Sequence, residues 1–253
     1  AAQMFTCVPF GMNPQEMNAW LYFSDGLKLW RELYAPFDLI PHPAGNTGVQ
    51  AGGWFNREIN SVADLNGLKM RIPGLGGEVL ARAGGIPVSL PGGEIFTSLQ
   101  TGNIDATEWV SPYNDLAFGL HNAAKYYYYP GWHEPGPTLE TIVNRRAWEA
   151  LPADLQHIVQ YASQAANTAM ISEYTAFNGP ALKQLQEEHG IIVRPFPEDV
   201  IRRLRELSQQ VLEELAADDE DFGRVYASYS AFQRSAAPWI DISERAFVES
   251  RGI

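Results

Sequence analysis

The sequence predicts an α/β fold, and three observations carry that prediction. Short β-prone runs alternate with segments of helical period, Gly- and Pro-rich turns separate them, and from Trp148 onward the pattern changes to long uninterrupted helices. At 253 residues and 45% hydrophobic, the chain can bury a sizeable core. Reading in order, Met17, Trp20, Leu21, Leu27, Trp30 and Leu33 recur near helical spacing behind Asn13-Pro14, so one amphipathic helix is expected over Asn13 to Leu33. Phe37 to Pro41 reads as a strand, Ala44 to Gly48 as a loop, and Val49 to Phe55 as a second strand-like run. Within that run, Gly52-Gly53 permits close approach of main chain.

Ser61 to Leu65 opens a helical turn, Lys69 to Pro73 is a strand, and Gly77 to Ala83 starts a helix. Val88 to Leu90 is a strand, Gly93 to Thr101 a helix closed by Gly102, and Ile104 to Glu108 a strand ending at Trp109. Tyr126 to Tyr129 and Thr141 to Val143 add β-prone runs. Two long helices follow, Pro152 to Glu188 and Pro197 to Ala217, with a short strand at Ile191 to Val193 between them. The expected division is 1–55 as part of a first lobe, 56–145 as a second α/β lobe, and 146–253 as a helical segment bracing both. Most of the Trp, Tyr and Phe residues are expected in core packing.

The net charge of −12, without a long Lys or Arg run, argues against nucleic acid and anionic membrane surfaces as partners. The single cysteine, Cys7, cannot close an internal disulfide and lacks zinc-site neighbours. No apolar run approaches the roughly 18 residues of a membrane span.

Two stretches set a carboxylate beside indole rings at a turn: Thr107-Glu108-Trp109 and Trp132-His133-Glu134-Pro135-Gly136. An acid in a dry cleft needs a cation, a hydrogen-bond donor or a proton to offset lost hydration, so a pair of them suggests a cation between. Glu108 and the carbonyl of Trp109 are hard oxygen donors on adjacent residues, suited to sodium, calcium or magnesium, and Gln50 could add a neutral amide oxygen. Arg71 leaves a strand end, where open α/β sheets bind ligands, and its planar fork matches a carboxylate. Gly74 to Val79 is glycine-rich but lacks dinucleotide spacing and a Walker lysine, and no Gly-x-Ser-x-Gly elbow is present.

Pro43 to Gln50 with Gly52-Gly53-Trp54-Phe55, then Leu68 to Gly74, Asp105 to Trp109 and Gly131 to Gly136, together resemble the periplasmic solute-binding subunit of a tripartite ATP-independent periplasmic (TRAP) transporter. The resemblance is to the DctP-type branch that binds 2-oxo acids and related monocarboxylates, and it runs over nearly the whole chain. It implies a two-lobed periplasmic binding fold whose cleft closes by a hinge. Arg71 would clamp the substrate carboxylate. Gln50, Glu108, the Trp109 carbonyl and Glu134 would hold a sodium or calcium ion, itself chelated by the ligand's carboxylate and 2-oxo or 2-hydroxy oxygen. Trp54, Phe55 and Trp132 would wall the cleft. The membrane subunits of the transporter would be partners, a carboxy-terminal helix could pair two copies, and the site of action would be the periplasm. Family members carry further strand and helix elements of the first lobe ahead of the point where this sequence starts, so the expectation is either a sequence cut from a longer one or an incomplete first lobe with sheet edge and apolar surface exposed. The rival reading is a metal-assisted hydrolase using Glu108 and Glu134 as base and ligand with His133 as acid.

Overall fold

The computed structural model describes residues 1–252; Ile253, the end of the expected helical segment, lies outside the described residues. Asn13 caps the first helix reciprocally with Glu16, each side chain accepting from the other's backbone N–H at 3.0 and 2.9 Å. The helix expected as one is two, α1 (Pro14–Phe23) and α2 (Gly26–Tyr34). The break falls at Ser24-Asp25, and a Cβ on Gly26 would lie 2.8 Å from the Trp20 ring, so only glycine lets the second helix start that close.

Among the described residues eight strands form two sheets. β1 (Leu39–Asn46) pairs antiparallel with β7 (Thr138–Asn144), with a bulge between Pro43 and Gly45. The other six are β2 (Gly53–Phe55), β3 (Lys69–Arg71), β4 (Ile86–Val88), β5 (Ala106–Thr107), β6 (Tyr126–Tyr129) and β8 (Ile192–Pro195), in the order β4-β3-β5-β2-β6-β8. β4, β3 and β5 run parallel, as do β6 and β8, while β2 lies antiparallel between β5 and β6. β2 lies within the six-stranded sheet, and β7 returns to pair with β1.

Helices α3 (Gly74–Arg82), α4 (Gly92–Gln100), α5 (Pro112–Phe118) and the short α6 (Arg145–Glu149) connect the strands. Both faces of the six-stranded sheet are covered, so successive strand residues enter opposite cores. Phe55 and Tyr128 enter a cluster with Met70, Val79, Val200 and Leu204. Trp54 and Tyr127 enter another with Ile95, Leu99, Leu120 and Leu185.

Four helices close the chain: α7 (Ala153–Glu187), α8 (Glu198–Asp218), α9 (Glu220–Ile240) and α10 (Ala246–Ser250). α7 is 35 residues long, about 50 Å at 1.5 Å per residue. Its Asn167 donates to Asn18 of α1 at 3.0 Å, its Asn178 accepts from the Tyr113 N–H of α5 at 3.0 Å, and Leu185 is buried against the six-stranded sheet. α8 likewise contributes Leu204 and Val211 to the sheet core and Leu212 to a third cluster, built on Met4, Phe5, Trp20, Trp30, Phe222 and Tyr229. α9 lies within the helical segment expected over 146–253, where the sequence pattern set it no bounds of its own. Asp219 caps it by accepting from Phe222 N–H at 2.9 Å, and Tyr229 receives the Met12 N–H at 2.6 Å in that third core.

Both members of that last hydrogen bond are about 1% exposed. Replacing Tyr229 by Phe strands a buried N–H, and urea denaturation should show a loss of about 1–3 kcal/mol.

Candidate functional site

Because β2 is antiparallel to its neighbours, its start lies at the same edge as the ends of β3, β5 and β6. Arg71 ends β3 opposite Thr107 of β5, and the Glu108 N–H donates to the Arg71 carbonyl at 3.1 Å. Gly53 approaches the same spot with φ +119°, where a Cβ would lie 2.5 Å from the Thr107 carbonyl oxygen and 3.2 Å from the Glu108 Cα. No other residue fits there without shifting the strand end. The Gln50 N–H donates to the Glu134 carbonyl at 3.2 Å, and the Ala51 N–H to the Val110 carbonyl at 3.0 Å. The structure therefore brings Gln50, Arg71, Glu108, Trp109, His133 and Glu134 to one sheet edge.

The Arg71 guanidinium is ion-paired with Glu108, donates weakly through Nε to the Leu90 carbonyl at 3.4 Å, and sits 5.7 Å from the centroid of the Trp109 ring. Glu108 is 2% exposed, and its other oxygen lies 3.6 Å from His133 Nε2. Glu134 completes the group. Burial first, then the neighbouring Glu108 charge, pushes its carboxyl up to about 7, opposed by His133, the Cys7 thiol and Arg71. One guanidinium does not satisfy two carboxylates in this environment.

Several oxygens are available for a cation. The Gln50 side chain is 6% exposed; its amide donates to Thr47 Oγ1 at 3.1 Å, but its carbonyl oxygen is buried with no partner. Among the described residues no cluster of three His, Cys, Asp or Glu suited to a metal is found. The available donors are instead two carboxylates, one amide and main-chain carbonyls, a set of hard oxygens with modest charge.

The aromatic walls expected at Trp54, Phe55 and Trp132 are corrected by burial. Trp54 is 0% and Phe55 1% exposed, because a sheet covered on both faces leaves neither side of a central strand open, and Trp132, in the loop after β6, is 5% exposed and packed in the cluster of Phe55 and Tyr128. Only Trp109 remains partly exposed, stacked on Phe118 at 4.6 Å. His133 has no hydrogen-bond partner on either ring nitrogen among the described residues, and its nearest acid is Glu108, 3.6 Å from Nε2. A cavity of about 270 Å³, lined in part by Cys7, Gly74, His133 and Glu134, opens on one flank. Another of about 510 Å³, lined in part by Gln50, Ser111, Tyr127 and Leu182, opens on the other.

Sequence reasoning missed Asp115, which is 1% exposed on α5. It accepts from Trp54 Nε1 at 2.9 Å, Tyr127 OH at 2.8 Å and the Val110 N–H at 3.0 Å, yet burial still pushes its carboxyl up to about 7. Ser111-Pro112, a helix start of the same kind as Asn13-Pro14, was the available signal.

A guanidinium and two carboxylates thus gather at the carboxyl edge of the sheet, the place where open α/β sheets bind ligands. The chain belongs to the family of bacterial extracellular solute-binding proteins, family 7 (DctP), which it matches over residues 2–219. It is 47% identical over 242 residues to the monocarboxylate 2-oxoacid-binding periplasmic protein of a Nostoc species, covering 96% of this chain and 66% of that protein. It thus spans slightly under two thirds of that relative's length.

Among solved structures, a TRAP transporter solute-binding protein from Bordetella bronchiseptica superposes with a TM-score of 0.96 at 40% identity, covering 99% of this chain and 74% of the other. That protein is a mixed-occupancy dimer with calcium and picolinate in one site. One from Colwellia psychrerythraea, with bound calcium and pyruvate, gives 0.94 at 42% identity, covering 97% and 75%. One from Pseudoalteromonas atlantica, with bound sodium and pyruvate, gives 0.93 at 44%, again covering 97% and 75%. The fold is therefore the α/β fold of these periplasmic binding proteins, with long helices toward the carboxy terminus.

Two buried acids dominate the pH dependence of the ligand-free protein above about pH 6.5, while His42, pushed down to about 4 by burial, opposes them below that. Folding raises the carboxyls of Glu134 (ordinarily 4.5) and Asp115 (ordinarily 3.8) to about 7. Between those values the native state holds protons that the unfolded chain has released, so stability falls as pH rises toward 7 and levels off above it. Urea midpoints should decline from about pH 5 to about pH 8, and Glu134→Gln should make the decline shallower.

Proposed function

We propose that this chain binds a small 2-oxo or 2-hydroxy monocarboxylate together with a sodium or calcium ion and passes it to the membrane subunits of a TRAP transporter. The observation that carries the reading is the charge imbalance at the sheet edge: Glu134 is driven toward protonation beside Glu108, and the Gln50 carbonyl oxygen is buried without a donor. A cation held by Gln50, Glu108, Trp109 and Glu134 would relieve both. It would also present open coordination positions to a ligand with oxygens on adjacent carbons, which a simple fatty acid lacks. Arg71 would take the ligand carboxylate, its planar fork giving two parallel donors.

The reading is one of capture without catalysis, in the periplasm. Among the described residues no helix is long and apolar enough to cross a membrane. Homodimerisation through the last helices is supported by exposed Trp239, Ile242, Phe247 and Val248, at 59–72% exposure, and by the dimer of the Bordetella protein. Arg71 and the acids lie at the carboxyl edge of the six-stranded sheet, with α7 and α8 bridging to the cluster around α1 and α2. A cleft closing between those parts fits the family's two-lobed form.

Pyruvate or a branched 2-oxo acid added with calcium or sodium should raise the melting temperature and change the emission of Trp109. Arg71→Lys keeps the charge but loses the fork and should weaken 2-oxo acid binding about ten-fold or more. Glu134→Gln should weaken the cation contribution. Unaltered affinity in both variants would overturn the assignment.

A further inference from the structure

We propose that Asp115 is a positioning residue for the cation site and acts by aiming the Trp109 carbonyl. The inference rests on the cation reading above. The Val110 N–H belongs to the same peptide unit as that carbonyl, and in a planar trans peptide the two point in opposite directions. Asp115 lies beneath the sheet edge at 1% exposure and takes the Val110 N–H on Oδ1 at 3.0 Å. The carbonyl of Trp109 must then point away from the core.

The carboxylate that sets this direction is itself locked. Its Oδ2 receives Trp54 Nε1 at 2.9 Å and Tyr127 OH at 2.8 Å, two rings whose centroids are 4.4 Å apart. Its backbone N–H donates to Ser111 at 2.9 Å, within the first turn of α5. The following carbonyl, of Val110, is taken by the Ala51 N–H at 3.0 Å, which ties the same loop to the residue after Gln50. Among the described residues nothing donates to the Trp109 carbonyl oxygen. A peptide pinned on its N–H side, with its oxygen unclaimed and Glu108 next to it, is prepared for a metal ion. Trp54 and Tyr127 serve the site from inside the core, two contacts removed from the ion.

The test titrates calcium chloride alone into the full chain by calorimetry. Asp115→Leu keeps the branched outline and removes the acceptor, and should weaken calcium binding about ten-fold or more. Asp115→Asn keeps an acceptor for the Val110 N–H, while its amide nitrogen cannot accept from Trp54 Nε1, and should recover part of the loss, binding calcium clearly more tightly than the leucine variant. Equal weakening in both variants would show that the charge matters and not the aim, and would overturn the proposal, as would undiminished binding by Asp115→Leu.

If the leucine variant does not fold, the unchanged protein decides the matter. Trp109-Val110 is the only Trp-Val pair in the sequence, so carbonyl-13C tryptophan with 15N valine gives a single correlation peak. Calcium should shift its carbonyl resonance while the Val110 amide stays protected from exchange; a peak that does not move on saturation overturns the proposal. Failure of the unchanged protein to bind either calcium or sodium would instead sink the cation reading, and this inference with it.

Discussion

The reversed direction of β2 is the constraint on which the rest of the site depends. A strand running parallel to its neighbours would deliver its first residues to the opposite edge, about 10 Å away for three residues at 3.3 Å each. Running antiparallel, β2 brings Gln50 to the edge where Arg71, Glu108 and Glu134 emerge. That insertion demands close contact with β5, which Gly53 supplies in a left-handed conformation. Local chain chemistry at one glycine thus permits the meeting of groups that lie more than eighty residues apart in sequence.

Once gathered, these groups cannot all be satisfied by one another. Arg71 neutralises Glu108, Glu134 is left with burial and a like charge, and the Gln50 carbonyl oxygen has no donor. Breaking a buried pair of this kind typically costs about 3–5 kcal/mol, because the remaining charge stays desolvated. The site accordingly stores a demand for positive charge in its ligand-free form.

Much of the fold was legible because periodicity survives wherever one face of an element is buried. The strand at Lys69, the tyrosine run at 126–129 and the two long helices from Ala153 and Glu198 all stand close to where pattern and propensity put them. The candidate acids were legible for a different reason, as carboxylates interrupting aromatic sequence. What escaped was tertiary. The helix after Asn13 broke because Gly26 packs on Trp20, and Trp54 and Phe55 left the cleft because both faces of their sheet are covered. Asp115 escaped because its value lies in three donors that only the tertiary fold brings together, from Val110 five residues before it, Tyr127 twelve after it and Trp54 sixty-one before it.

The internal pairing of Arg71 with Glu108 carries one more consequence. An incoming anion finds the guanidinium already engaged, and an incoming cation finds one of its carboxylates already claimed. Each newcomer must loosen the same bond, so whichever arrives first lowers the cost for the second. By thermodynamic reciprocity the help is equal in both directions. On the proposed reading the protein would behave as a coincidence detector for oppositely charged solutes, with selectivity resting on their joint presence and less on the strength of either attraction taken singly.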